Sequence, residues 1–225
     1  MVVAGGRSVR QERSEDTRAA LLEAAVRCLA ESGYAATTTG RVAAMTGVTR
    51  GAILHHFSTK LDLILATAHH IIEAQNEYRR SVMPPVTSPY ERLVALTDAV
   101  WASWKRPHAL ALMEIDLASR GDPELAPRYR PMRAALEAAQ RERYSEICRA
   151  AGIDDRDLTD ALMTLSVGAM RGMTIQAMVT GDTDAAEAGM ALLRRMRGEL
   201  LSARLGRGRD TVSVDGIVQG PHTAG

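Results

Sequence analysis

Aromatic residues are scarce: one Phe, two Trp and five Tyr make up 4% of the 225 residues. The side chains that favour pleated sheet are therefore few, and no stretch alternates apolar and polar residues over strand length. Cysteine is scarcer still, with only Cys28 and Cys148. Two distant thiols make neither a disulfide scaffold nor a thiolate metal centre. Each stands among Ala and Leu in a helical context and reads as a reduced, half-buried side chain. No apolar run approaches the ~18 residues that would span a bilayer. Arg7, Arg10 and Arg13 have no hydrophobic stretch behind them, so a signal peptide is not expected, nor a membrane partner, and the expected location is cytoplasmic. An excess of one charge is also missing, since 28 Lys or Arg face 27 Asp or Glu, a formal +1.

What remains is a composition rich in Ala, Leu, Met and Arg, 46% hydrophobic overall, which favours helix over strand. The neutral total hides an asymmetry: residues 1–60 carry eight Lys or Arg against five acids, whereas residues 61–205 carry 18 against 20. A basic first quarter ahead of a slightly acidic body is suited to meeting a polyanion.

The expected fold is all-α, with about nine helices. Residues 1–13 mix Gly, Ser, Arg and Gln without periodicity and read as a flexible basic arm. A first helix opens near Ser14 or Asp16, carries Leu21, Leu22, Ala25, Val26 and Leu29 at three- and four-residue steps, and stops at Gly33. Thr37-Thr38-Thr39 offers cap hydroxyls for a short second helix with Val42, Ala43 and Met45, ended by Gly47. A third short helix spans about 49–56, and Ser58 or Thr59 caps a fourth. The Pro84-Pro85 pair then blocks helix continuation. Ser88, Pro89 and Glu91 restart it, and further helices follow at about 89–105, 107–120, 124–151, 155–180 and 184–204. The tail 206–225, rich in Gly, Thr, Ser and Asp, is expected to be disordered.

The informative segment is Thr37 to Lys60. A short helix bearing Val42 and Ala43, a turn at Thr46-Gly47-Val48 and a second short helix from Thr49 make a helix-turn-helix. Val48 plugs the angle between the helices, and Ile53 and Phe57 point to the core at four-residue spacing. Thr49, Arg50, Gly51, Leu54 and His55 are left on the outer face. Such a face suits a major groove about 12 Å wide, where Arg bridges guanine O6 and N7.

Gly33-Tyr34, Thr37-Thr38, Val42-Ala43, Gly47-Val48-Thr49, Gly51, Phe57, Lys60, Leu63 and Ala66 follow one another in an order and spacing that resembles the N-terminal domain of the tetracycline-repressor (TetR) family, over about residues 14–66. The resemblance implies a helix-turn-helix domain over 14–60 and a ligand-binding and dimerisation domain over 61–205. It implies that Thr49, Arg50, Gly51, Leu54 and His55 read bases and that Thr38, His56 and Lys60 contact phosphate. Leu54 stands where the family usually has a tyrosine, and a Leu has no hydrogen bond to donate, so the half-site cannot be borrowed from relatives. The implied partners are a double-stranded DNA operator, a small-molecule effector and a second copy of the chain. The implied function is a repressor that leaves a palindromic operator when the effector binds; an activator, or a regulator without a ligand, would share every residue named.

Candidate pocket residues are His69, Ile72, Trp101, Trp104, Met113 and Met170. For the two tryptophans, three apart on one helix face, core packing competes with a flat wall for an apolar effector. Gly168 and Gly172 clear one stripe of the eighth helix, each costing roughly 0.8–1 kcal/mol relative to Ala. With Leu158, Leu162, Leu165, Leu192 and Met196 they form the candidate dimer seam. No cofactor and no metal are expected. Adjacent histidines such as His69-His70 point about 100° apart on a helix; one of them with His108, Glu114 or Asp116 could line a cavity or bind a metal, but no spacing enforces that convergence. Catalysis is not expected either: HExxH, a phosphate-binding glycine loop and GxSxG are all missing.

Overall fold

The computed structural model describes residues 9–206. Among them are nine α-helices and no strand: α1 (Val9–Ala36), α2 (Thr39–Thr46), α3 (Arg50–His56), α4 (Lys60–Ser81), α5 (Pro89–Trp104), α6 (Pro107–Ala118), α7 (Leu125–Ala150), α8 (Arg156–Thr180) and α9 (Thr183–Arg204). Local chemistry sets most of these limits. The hydroxyls of Thr38, Thr49 and Thr59 accept the backbone N–H three residues on, and each starts a helix. Ser88 and Glu91 close a reciprocal capping box with Pro89 at the first helical position. Gly47 and Gly181 end α2 and α8 in the left-handed conformation.

One expectation fails at α1. Residues 9–13, assigned to the flexible arm, are helical. The run from Val9 to Glu15 holds neither Gly nor Pro, and Glu12 lies in the first turn, where a carboxylate meets the positive end of the helix dipole. Residues 1–8 of that arm lie outside the described residues, as do 207–225 of the expected tail. The long first helix ends at Gly33 as expected, at φ 78, ψ 174, and a short helical turn follows as far as Ala36.

The expected division at residue 60 cuts through shared packing. Leu21, Leu22, Ala24, Ala25 and Cys28 of α1 pack with Val42, Ala43, Ile53, Phe57 and the Leu63 of α4 in one core. One turn round the same helices, Val26 and Leu29 of α1 join Ile64, Ala68 and Ile71 of α4, Ala111 and Ile115 of α6, and Leu125 and Tyr129 of α7. Helices α1 and α4 thus belong to both halves of the chain. Leu29 and Ile64 are fully buried, each contributing about 1.5–3 kcal/mol of transfer free energy. Helices α5, α7, α8 and α9 pack round Leu93, Tyr144, Cys148, Leu162 and Leu201, and the far end of α5 meets α8 and α9 through Trp101, Met170 and Met190. Both cysteines are free and buried. No helix among the described residues is long and apolar enough to cross a membrane.

Candidate nucleic-acid interface

The second and third helices are held by their inner faces. Val42, Ile53 and Phe57 are buried, and Val48 packs partly against the same core. Gly47, at φ 70, turns the chain between them, and the N–H of Val48 donates to the carbonyl of Ala43 at 3.2 Å. Thr49 then caps α3, its hydroxyl accepting from the Ala52 N–H at 3.2 Å. With Ile53 locked inward, Thr49, Arg50, Gly51, Leu54 and His55 are all exposed on one side. The five residues expected to face bases therefore share one solvent-facing surface on a rigidly seated helix.

Thr38 is exposed at the N-cap of α2, where its hydroxyl accepts from the Arg41 N–H at 3.1 Å. Capping uses an acceptor lone pair and leaves the O–H as a donor. His56 is half-buried, and burial, then the charges of His55 and Arg18, hold its imidazole below the ordinary histidine value. Lys60, expected to contact phosphate, is turned inward in this structure. Its ammonium donates to the Tyr34 carbonyl at 2.8 Å and reaches the Ala35 carbonyl at 3.4 Å, while lying 4.2 Å from the Tyr34 ring centre. Those carbonyls end the helical turn that follows Gly33 and so lie at its negative end, the Tyr34 carbonyl also accepting from the Thr37 N–H at 3.2 Å. Lys60 is a brace between α4 and α1.

The same joint is tied to α6. The Tyr34 N–H donates to Glu114 Oε2 at 3.2 Å, and the Tyr34 hydroxyl donates to Asp122 Oδ2 at 2.6 Å. A Cβ on Gly33 would stand 3.1 Å from that Glu114 oxygen. At the start of α4, Asp62 pairs with Arg128 of α7 at 3.2 Å. The helix-turn-helix thus hangs on α6 and α7 through specific polar contacts.

The expected pocket does not assemble from the six residues proposed. His69 is exposed, because the buried side of α4 runs through Ile64, Thr67, Ala68, Ile71 and Ile72. Trp101, Trp104 and Met170 do come together, but against Met190 and Leu193 of α9, away from α4. The Trp101 indole N–H donates to Glu187 of α9 at 3.1 Å, which fixes that orientation. Ile72 and Met113 are buried outside that cluster. Two surface clefts among the described residues lie elsewhere, one at Gly152–Asp157 beside Arg204, the other between Val86–Pro89 and Glu146–Ala150.

The expected seam divides in two. Leu162 is buried and Leu158 partly buried, both packed with Leu93, Tyr144 and Leu201 inside the chain, so they are core. Leu165, Gly168 and Gly172 of α8 and Leu192 and Met196 of α9 are exposed. Ile175 and Val179 extend the α8 stripe and Leu200 the α9 stripe. The inward side of α8 runs through Thr159, Leu162, Ser166 and Met170, whereas Leu165, Gly168 and Gly172 lie on the other side.

Sequence spacing also missed a convergence. His70 of α4, His108 at the start of α6 and Glu23 of α1 bring one ligand atom each within 4.8 Å of one another. His70 Nε2 lies 2.6 Å from Glu23 Oε1, and His108 Nε2 lies 3.4 Å from the same oxygen. Burial pushes the Glu23 carboxyl up, but the His70 hydrogen bond and the two imidazoles outweigh it and hold the pKa below the ordinary value. For His108, burial comes first and pushes the imidazole down, with Arg106 adding to it and Glu23 opposing. Three separate helices supply the three groups, so no local motif could have announced them.

A helix-turn-helix held by its inner face on a larger helical body defines a fold class of DNA-binding regulators. Residues 21–67 match the pattern of bacterial regulatory proteins of the tetR family. The chain is 32% identical over 135 residues to the HTH-type transcriptional repressor AcnR of Corynebacterium efficiens, covering 60% of this chain and 67% of that one. It is 29% identical over 167 residues to AcnR of Corynebacterium diphtheriae, covering 74% and 84%. Its fold is similar to that of a transcriptional regulator from Saccharomonospora viridis solved in complex with choline, with TM-score 0.64, 17% identity, and coverage of 80% of this chain and 95% of that chain. The chain belongs to the tetR family, a class of transcriptional regulators and not of enzymes.

Proposed function

We propose that the chain binds a palindromic DNA operator as a homodimer, represses transcription there, and leaves when a small molecule binds. The observation that carries the reading is the exposed set Thr49, Arg50, Gly51, Leu54 and His55 on α3, opposite the buried Ile53. Arg50, in the first turn, reaches base edges; Thr38 and His56 flank it as donors to the phosphate backbone. Leu54, 43% exposed, meets a thymine methyl where a hydrogen-bonding side chain would contact a polar edge.

One such helix buries too little surface for tight binding, so two are required, about 34–36 Å apart on one face of the duplex. The apolar stripes of α8 and α9 supply the two-fold contact, with Gly168 and Gly172 allowing close approach of the partner's backbone. Repression is favoured because the two AcnR relatives are repressors. Ligand control is favoured because the Saccharomonospora viridis regulator holds choline. In this chain an effector acts by favouring one arrangement of α4 and α6, and the Tyr34–Glu114, Tyr34–Asp122 and Lys60–Tyr34 contacts carry the change to α2 and α3. The size of that response is set by the effector's differential affinity for the two arrangements, and DNA weakens effector binding by the same factor.

The test is Arg50→Ala, measured by gel shift on DNA fragments recovered with the native protein. Specific binding is expected to weaken by about 1–3 kcal/mol with the melting temperature unchanged. Unchanged affinity and unchanged sequence preference would refute the assignment of α3 as the reading helix.

A further inference from the structure

We propose that Glu23, His70 and His108 form a three-ligand site for a divalent transition cation, with Zn2+ as the representative ion. The proposal stands on the geometry of this cluster and does not depend on the operator reading.

Two imidazoles and one carboxylate are the donor set that borderline divalent ions take, and three protein ligands leave one position of a tetrahedron open to water or another small ligand. In a tetrahedral site with bonds near 2.0–2.1 Å, neighbouring ligand atoms stand about 3.3–3.4 Å apart. The His108 Nε2 to Glu23 Oε1 separation is already 3.4 Å. His70 Nε2, at 2.6 Å from Glu23 Oε1, must withdraw by less than an ångström, a small rotation of a partly exposed side chain. In coordinating through Nε2, His70 carries its proton on Nδ1.

The second observation is the state of His108. Its side chain is 7% exposed, and neither ring nitrogen has a hydrogen-bond partner among the described residues. A buried imidazole with both nitrogens unsatisfied is destabilising, and native structures leave few such groups unpartnered. Its Nε2 stands 3.4 Å from Glu23 Oε1 without the alignment of a hydrogen bond, at the separation that a shared ion requires. The carboxylate and the open edge of His70 are partly exposed, which leaves a path for entry.

The location gives the site a consequence. Glu23 belongs to α1 between residues of the helix-turn-helix core, His70 to α4 and His108 to the first turn of α6. A bound cation would pin α1 to α4 and α6.

Metal-stripped full-length protein titrated with Zn2+ against a chromophoric chelator tests this. One Zn2+ per chain is expected, and Zn2+ is expected to raise the melting temperature. Glu23→Gln and His70→Gln, both at partly exposed positions, should each weaken uptake by at least ~10–100-fold, the loss caused even by removing a ligand's hydrogen-bond partner. His69→Gln, one residue away and exposed, should bind as the native chain does. Cobalt(II) should give visible d–d absorption that His70→Gln removes. Failure of the folded native protein to take up stoichiometric Zn2+ would overturn the proposal. So would uptake that His70→Gln and Glu23→Gln leave intact, since the ion would then sit elsewhere.

Discussion

At the scale of single residues, Lys60 and Arg50 show how two similar cations take opposite roles. Arg50 projects from an exposed helix face. Lys60 is turned inward onto the carbonyls of Tyr34 and Ala35 and across the Tyr34 ring. A hydrogen bond from a charged donor is worth about 1.5–3 kcal/mol, so Lys60→Ala should lower stability by that order in thermal or denaturant unfolding. The slope of log affinity against log salt should stay the same, because no phosphate contact is lost. A slope reduced by ~0.9 with stability unchanged would return Lys60 to the phosphate role its position in the motif implies. The motif located this residue but not the direction of its side chain. Nothing in the sequence reveals that two carbonyls 25 and 26 residues earlier lie within its reach.

At the scale of elements, the break in α1 matters most. Gly33 sits at φ 78, ψ 174, a region essentially closed to residues with a Cβ. A side chain there would also crowd Glu114, whose carboxylate accepts the next N–H. Gly33→Ala should therefore cost about 1–3 kcal/mol, read as a lower midpoint in urea. If the variant unfolds with native stability, the break is not strained and Gly33 is incidental to the joint. The sequence marked this glycine as a helix end, and it is one; the short helical turn that follows to Ala36 was not legible. Elsewhere the helix limits were legible: Ser88-Pro89-Glu91, Thr59 and Gly181 act within one turn of themselves, and their chemistry is local.

At the scale of the whole molecule, the chain leaves apolar stripes uncovered on α8 and α9. Leu165 is 55% exposed and Leu192 47%, on helices that otherwise bury Leu162, Met170, Met190 and Leu193 within the protomer. A charge at either exposed position costs the isolated chain little and is intolerable at a packed two-fold contact. Leu165→Asp or Leu192→Asp should convert a dimer to a monomer in sedimentation analysis, preserve the helical circular dichroism, and weaken operator binding. A dimer that survives both substitutions would place the interface on another surface.

By itself, the sequence determined the helices, their caps and the helix-turn-helix, since each depends on residues within a few positions along the chain. It also showed which residues of α3 cannot be inside, because Ile53 and Phe57 fix the opposite face. Only the tertiary structure decided which side of α5 carries Trp101, whether Leu162 is core or surface, and that Lys60 is a brace. It alone brought Glu23, His70 and His108 together. Periodicity states that a helix has an inner face; which neighbour fills that face depends on how α1, α4 and α6 cross, and that is settled by packing among residues far apart in the chain.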